Sequence, residues 1–596
     1  MKKNSLTTAI IAGVAGVAGL AGVAHAVNLN ADGIGQVLLY PYYTTNGGNT
    51  TLIQVVNTSD VGKAVKVRFL ESLNSKEVLD FNLYMSPYDV WTANIHENAE
   101  GKVGIVTPDK SCIVPNRVMP DAEGNVRFTE FLDFEFGYWR PDRLGLTASA
   151  NNISRKAQGH IEVIEMGDLH GLAHRYALHG THAGEWRPEN CGWFQAQWFT
   201  PGSAANPTWL YQSGSSNAAD GNNFGRAQSY VASPGSVYWS DGPMPELVTG
   251  EERRRPGAGG LFGSAYIVNV ADGTAFSYNA EALNGFLTID ERDTDLLEDT
   301  NLHHAPGTVY PALWQAANYY DIATESYWST STVFDALGNA LTFAFQRAAI
   351  DPTAPTAVGL PSPDAVSAVL SARYIMNEYA VNGFSSATSD WVVTFPTKQL
   401  HTYRPRTGVC SQPTGTRPFS CAQGAGRNGA VGDNIFDGYW PEEYELSYWD
   451  REELEPFTPP NPGDVSPLPP PGQQQVFAFG AEANVLTFYT EDTTAETVLS
   501  APLGVAGGGY TFPLEAAFES GWARIGFQKQ YMNVPAQDVV PGAETGAWRI
   551  NGLPVIGFWA AKHVNAFAGP DITAYYNLIH RHRVTRDIAV DTQTAP

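Results

Sequence analysis

Positive charge is scarce in this 596-residue chain: 36 Lys and Arg stand against 61 Asp and Glu, a formal net charge of −25 at pH 7. A surface of that sign repels phosphate backbones and anionic lipid and attracts cations, so nucleic acid is not an expected partner. Catalytic signatures are missing too. There is no phosphate-binding G-x-x-x-x-G-K-S/T, no H-E-x-x-H and no G-x-S-x-G elbow, which removes the common grounds for assigning an enzyme, and none is expected. Cysteine is rare, with Cys112, Cys191, Cys410 and Cys421 and no C-x-x-C pair, which disfavours a four-thiolate metal site. The tail Asp591–Pro596 lacks the aromatic-ended strand of an outer-membrane barrel, which argues against an integral barrel.

The one long apolar run lies at the start. Lys2 and Lys3 precede residues 9–24, built only of Ala, Gly, Val, Ile and Leu, and the run leads into Ala24-His25-Ala26. A charged start, an apolar middle and small residues at minus three and minus one form a signal peptide over residues 1–26, with cleavage expected after Ala26. A retained anchor is the competing reading, but the run is short and diluted with glycine, so no transmembrane span is expected. Removing residues 1–26 takes away two bases and no acid, leaving 34 against 61, a net charge of −27. Outside the cytoplasm, an even cysteine count suits two disulfides. Cys410 with Cys421 is the simple local clasp, closing about ten residues and contributing roughly 2 to 3 kcal/mol on the chain-entropy model. Cys112 with Cys191 follows by elimination.

The chain has 43% hydrophobic residues, enough for a sizeable core, and its length argues for more than one domain. Short strand-like segments, 37–43, 51–57, 64–70 and 78–85, alternate with turns such as Asn46-Gly47-Gly48 and Ser59-Asp60-Val61-Gly62. Leu79, Phe81, Leu83 and Met85 alternate with Val78, Asp80, Asn82 and Tyr84, and Val65, Val67 and Phe69 with Lys66 and Arg68, the period of two that buries one face. Pro41 predicts an edge position for the first of these strands. The pattern predicts a mainly β protein of two or more antiparallel β-sandwich domains with a few short helices. An N-terminal β domain over 27–250, a charged and glycine-rich linker over 251–260 and further β structure over 261–596 are expected. One helix is predicted from Pro363 to about Ile375. Strands are expected again at 391–395, 476–479, 484–489 and 554–559, and a proline-rich insertion at 456–471.

Three clusters could carry chemistry. His160, His170, His174, His179 and His182 lie near Glu162, Glu165 and Asp168; His170 and His174 would share one face of a helix over 168–178, the spacing that lets two imidazoles meet one metal. A solvated histidine-rich loop is the simpler reading. Asp290, Glu291, Asp293, Asp295, Glu298 and Asp299 offer hard oxygen ligands of the kind calcium takes, without EF-hand spacing, so calcium is the expected cofactor if one is bound and a solvated acidic loop is the alternative. Tyr439-Trp440, Tyr444 and Tyr448-Trp449 could stack on the sugar rings of a cell-surface glycan, although aromatics are also ordinary core fillers.

The blocks Gly35-Gln36-Val37-Leu38-Leu39-Tyr40-Pro41-Tyr42-Tyr43, Val65-Lys66-Val67-Arg68-Phe69-Leu70-Glu71 and Glu77-Val78-Leu79-Asp80-Phe81-Asn82-Leu83-Tyr84 resemble a family of large secreted proteobacterial surface proteins. Asp390-Trp391-Val392-Val393-Thr394-Phe395-Pro396-Thr397-Lys398 and Leu553-Pro554-Val555-Ile556-Gly557-Phe558 resemble its later blocks. Some members look like surface-layer (S-layer) proteins of gammaproteobacteria. The resemblance implies an abundant exported protein on the outer cell surface of a Gram-negative bacterium. The expected function is therefore structural, with the chain itself as partner through self-association. A glycan-binding adhesin and a secreted hydrolase are the rival readings.

Overall fold

The alternation read over residues 64–85 does build a sheet, but one covered on both faces. The structure, a computed structural model, describes residues 26–132, 155–198, 259–286, 306–346, 363–402, 418–419, 442–453, 477–490, 502–565 and 574–591, with short gaps inside several of these ranges. It is mainly β, with several antiparallel sheets and few short helices.

The first strands are β1 (Asn28–Leu29), β2 (Val37–Thr44), β3 (Thr50–Asn57), β4 (Gly62–Glu71) and β5 (Glu77–Met85). Then come β6 (Val90–Glu97), β7 (Val103–Val106), β8 (Cys112–Val114), β9 (Thr129–Glu130) and β10 (Gln158–Leu169). A hairpin of β11 (His179–His182) and β12 (Glu185–Pro188) precedes β13 (Leu261–Asn269), β14 (Thr274–Asn279) and β15 (Glu281–Asn284). Sheet I runs β1-β15-β2-β10-β4-β5-β8 and sheet II runs β14-β13-β3-β6-β7-β9. Val65, Val67, Phe69, Phe81 and Leu83 of sheet I face Ile53, Val55, Trp91, Ile95 and Ile267 of sheet II across one core. Tyr40 crosses that core and donates a hydrogen bond to the Gln54 carbonyl at 2.6 Å. Its ring fills the space beside Gly263, where a Cβ would stand 1.8 Å from the hydroxyl oxygen.

Two expectations are corrected here. The sheets do not divide at 251–260: β13 pairs with β3, and β15 pairs with β1 and β2, so strands from beyond that segment complete both N-terminal sheets. Nor is Pro41 on an edge strand, because β2 lies between β15 and β10. The β10 register slips between Gly159 and Ile161, opposite Tyr43 and Tyr40. The proline therefore sits at a bulge, where its missing N–H costs the ladder nothing. Its carbonyl accepts a hydrogen bond from Thr394 Oγ1 at 2.7 Å.

The outer face of sheet I is buried as well. Val37, Leu39, Ala64 and Tyr84 pack against residues from helices α1 (Gly171–Ala177), α2 (Cys191–Trp198) and α3 (Asp364–Leu370) and against Phe343 and Phe345. Helix α3 is shorter than the predicted 363–375. Ser371 is already extended, and Tyr374–Ala380 is drawn into a sheet by pairing with Ser520–Gly526.

The later part of the chain forms a second sandwich. Sheet III runs Phe477–Phe479, Glu442–Asp450, Ser520–Gly526, Tyr374–Ala380, Arg583–Thr585. Sheet IV runs Tyr510–Leu514, Ala483–Thr490, Thr388–Thr394, Ile556–Asn565, Ala574–Arg581, with its first pair parallel. Trp391, Val393, Leu486 and Trp559 of sheet IV face Ile375, Tyr379, Tyr448 and Ile525 of sheet III. On the other side of sheet IV, Val392, Val485, Phe558 and Ala560 belong to the first core. Sheet IV thus serves both cores, and Tyr278 stacks on Phe558 with centroids 4.8 Å apart across the junction.

Candidate functional site

Of the four cysteines, Cys112 on β8 and Cys191 at the start of α2 are joined as expected. The bond ties the edge of sheet I to a helix that also stacks Phe194 on Tyr84 at 4.1 Å and donates from Gln195 Nε2 to the Ile113 carbonyl at 2.6 Å. Cys410 and Cys421 lie outside the described residues, as do Asp290, Glu291, Asp293, Asp295, Glu298, Asp299 and the proline-rich segment.

Among the described residues the histidines do not converge. His170 is outside the described residues, and α1 begins at Gly171, after β10 has carried the chain through Asp168. The expected single helix over 168–178 is therefore not formed, because residues 159–169 are claimed by pairing with β4. His174 is half-buried on α1, and His179 lies on the hairpin, its Nδ1 3.1 Å from Ser86 Oγ. His160 is inside sheet I; burial, then the Arg68 charge, hold it down to about 3, so it is neutral at pH 7. Among the described residues no group of three His, Cys, Asp or Glu is placed to hold a metal ion.

The acids beside those histidines are engaged in a buried lattice. Lys63 Nζ lies 2.7 Å from Glu165 and 2.5 Å from Asp168, all three side chains at most 2% exposed. Arg68 bridges Glu77 at 2.9 Å and Glu162 at 2.7 Å, Lys66 pairs with Asp80, and Arg155 pairs with Glu71 at 3.0 Å. Burial lowers Lys63, but its two carboxylates outweigh that and leave it above its ordinary value. Burial, opposed by Lys63 but aided by Asp168, lifts Glu165 to about 7. At the junction of the two sandwiches, Ser75 Oγ donates to Glu482, which burial holds well above the carboxylate range. These charges are spent on each other and on backbone, which makes them clamps.

One constellation had no signal in the sequence. Ser367 Oγ on α3 lies 2.7 Å from His401 Nε2, and His401 Nδ1 lies 3.9 Å from Asp364 Oδ1. The residue types are those of a nucleophilic triad, but 3.9 Å is beyond hydrogen-bond reach. Ser367 is fully buried and also donates to Thr397 Oγ1 at 2.9 Å. The group fastens α3 to the turn preceding residues 398–402.

The aromatic cluster divides by face. Tyr444 and Tyr448 are core residues, as the simpler reading expects, and Tyr439 and Trp440 are outside the described residues. Trp449 faces outward and stacks on Trp522 at 4.1 Å with 13° between the planes. Arg524 lies over the Trp449 ring at 5.4 Å and the Tyr374 ring at 4.8 Å. Trp522 is 39% exposed and stands across the sheet from the exposed Glu378.

No protein-family model matches the chain, and neither a curated protein nor a solved structure does. No helix among the described residues is long and apolar enough to cross a membrane.

Proposed function

We propose that this is an exported structural protein of the outer cell surface, of surface-layer type, that works as assembled copies of itself. The observation that carries the reading is the use made of buried charge. Lys63, Lys66, Arg68 and Arg155 are each committed to carboxylates inside a double sandwich whose two cores share sheet IV. Sheet I is braced by these pairs, as a load-carrying element requires, and among the described residues its buried acids and bases are used in that bracing. The Cys112–Cys191 bond and the signal-like start support work outside the cytoplasm. With a net charge of −25 per chain, copies repel, and calcium bridging carboxylates between them would relieve what monovalent salt only screens.

Light scattering at constant ionic strength, with chelator and then calcium added, tests the self-association; electron microscopy of native envelopes tests the location. A monomer at every concentration with either addition would exclude the proposal. Glycan binding is a second reading, favoured by the exposed face of Trp522 beside Glu378, since a sugar ring stacks on indole while its hydroxyls donate to a carboxylate. In that case Trp522→Ala abolishes retention on immobilised envelope polysaccharide.

A further inference from the structure

Sheet II has one face in the core and one in solvent. The burial of β13 and β14 alternates strictly, and that of β6 nearly so, which puts Phe262, Tyr266, Leu52 and Val90 outward at 36%, 42%, 38% and 43% exposure. Register places Tyr266 beside Leu52 and Phe262 beside Val56, which in turn adjoins Val90. The remaining outward positions of β14, β13, β3, β6 and β7 are Ala, Ser, Asn, Thr, Gln, Val, Gly and His, none of them charged; the one charged residue within the five strands is Glu97, exposed at the last position of β6.

That composition is improbable for an ordinary solvent face. Protein surfaces carry about 25–35% charged residues, and this chain has 61 acids to place. Charge returns at the margins, where Glu97 ends β6, Lys102 pairs with Glu130 on β9 at 2.7 Å and Asp272, after β13, pairs with Lys562 at 2.9 Å. An uncharged centre within a paired, polar rim is the anatomy of a protein interface. Five strands about 4.8 Å apart and about 20 Å long project roughly 500 Å². Pleating, together with Tyr88 and Val270 at the two ends, 68% and 86% exposed, brings the accessible area toward the roughly 800 Å² per partner of a standard interface.

We infer that the outward face of sheet II is where one copy of this chain docks on a second copy. The inference rests on the self-association proposed above and names its surface. A second copy is the occupant that the charge distribution selects: two bodies of −25 each approach with least repulsion where neither presents a charge, and a face without charge has nothing with which to select a charged partner.

The test is sedimentation velocity on the full mature chain over a concentration series, with calcium and with chelator. Leu52→Asp combined with Tyr266→Asp puts carboxylates at the centre of the face on exposed positions; Leu337→Asp, on a turn and 88% exposed, is the control. The expected result is at least a tenfold rise in the concentration for half-association in the double variant and none in the control, with denaturation midpoints unchanged in both. Wild-type assembly matched by the double variant would overturn this surface while leaving self-association standing. A wild-type chain that stays monomeric throughout would remove both. Should it stay monomeric yet show hydrogen-exchange protection at Tyr266 only when envelope polysaccharide is added, the face belongs to a glycan and the copy-to-copy assignment is wrong.

Discussion

Asp390 shows how a single buried group contributes to the response to pH. Its Oδ1 accepts from Thr487 Oγ1 at 2.6 Å and its Oδ2 from the Leu503 amide at 2.8 Å, and burial pushes it up to about 6. A carboxyl raised in the folded state contributes stability that is complete below its ordinary value near 3.8 and is lost as pH rises through 6, about 3 kcal/mol in all. His582 works in the opposite sense. Burial holds it down to about 4, its Nε2 meets the Val392 carbonyl at 2.9 Å, and stability is lost as pH falls from 6.5 through 4. Asp390→Asn keeps both contacts by donating its amide to Thr487, so denaturant titrations from pH 4 to 7 should show the variant gaining on the wild type by about 3 kcal/mol toward neutrality. An unchanged difference across that range would show that Asp390 does not titrate there. Lys63→Met strands Glu165 and Asp168 and should cost about 3–5 kcal/mol at pH 7, whereas the triple replacement Lys63→Met, Glu165→Gln, Asp168→Asn should recover most of it. Equal losses in both would mean that the triad is not a clamp.

At the scale of elements, Tyr40 and Gly263 couple the two N-terminal sheets. Gly263→Ala collides with the Tyr40 ring and should destabilise by about 1–3 kcal/mol, and the loss should shrink when Tyr40→Leu is introduced beside it. Strict additivity in that double-mutant cycle would dismiss the contact. The disulfide acts at the same scale: it closes a separation of 79 residues, and replacing Cys112 and Cys191 by Ala should cost about 2–5 kcal/mol in chemical unfolding. Much of this level was legible in the chain. Leu79, Phe81 and Leu83 alternate because one face meets a core, and strands at 388–394, 483–490 and 556–565 lie where β-branched and aromatic residues gather. The edge position for Pro41 was not borne out, because a bulge satisfies the same missing donor and leaves no local mark. Helix α3 stopped early because Tyr374–Ala380 found a partner about 150 residues away, and no local pattern announces a partner. The lattice around Lys63 and Arg68 was equally invisible, since acids and bases 94 to 105 residues apart meet only after β4 and β10 pair.

For the whole molecule, a shared sheet means shared fate. Sheet IV contributes to both cores, so denaturant unfolding followed by tryptophan fluorescence and by far-ultraviolet dichroism should give one coincident transition instead of two. Separate midpoints would show that the sandwiches are energetically independent. The late position of β13, β14 and β15 carries a further consequence, concerning time. The seven-stranded sheet cannot place β15 between β1 and β2, nor can sheet II gain β13 beside β3, until residues 261–284 are available. A chain threaded through a membrane from its N-terminus would thus emerge for more than two hundred residues without the means to close either sheet. In such a chain the same delay would hold off premature folding on the near side. Contacts so distant in sequence also make for slow folding, and in a chain threaded in that order the first part to emerge would be the part that waits longest for its partners.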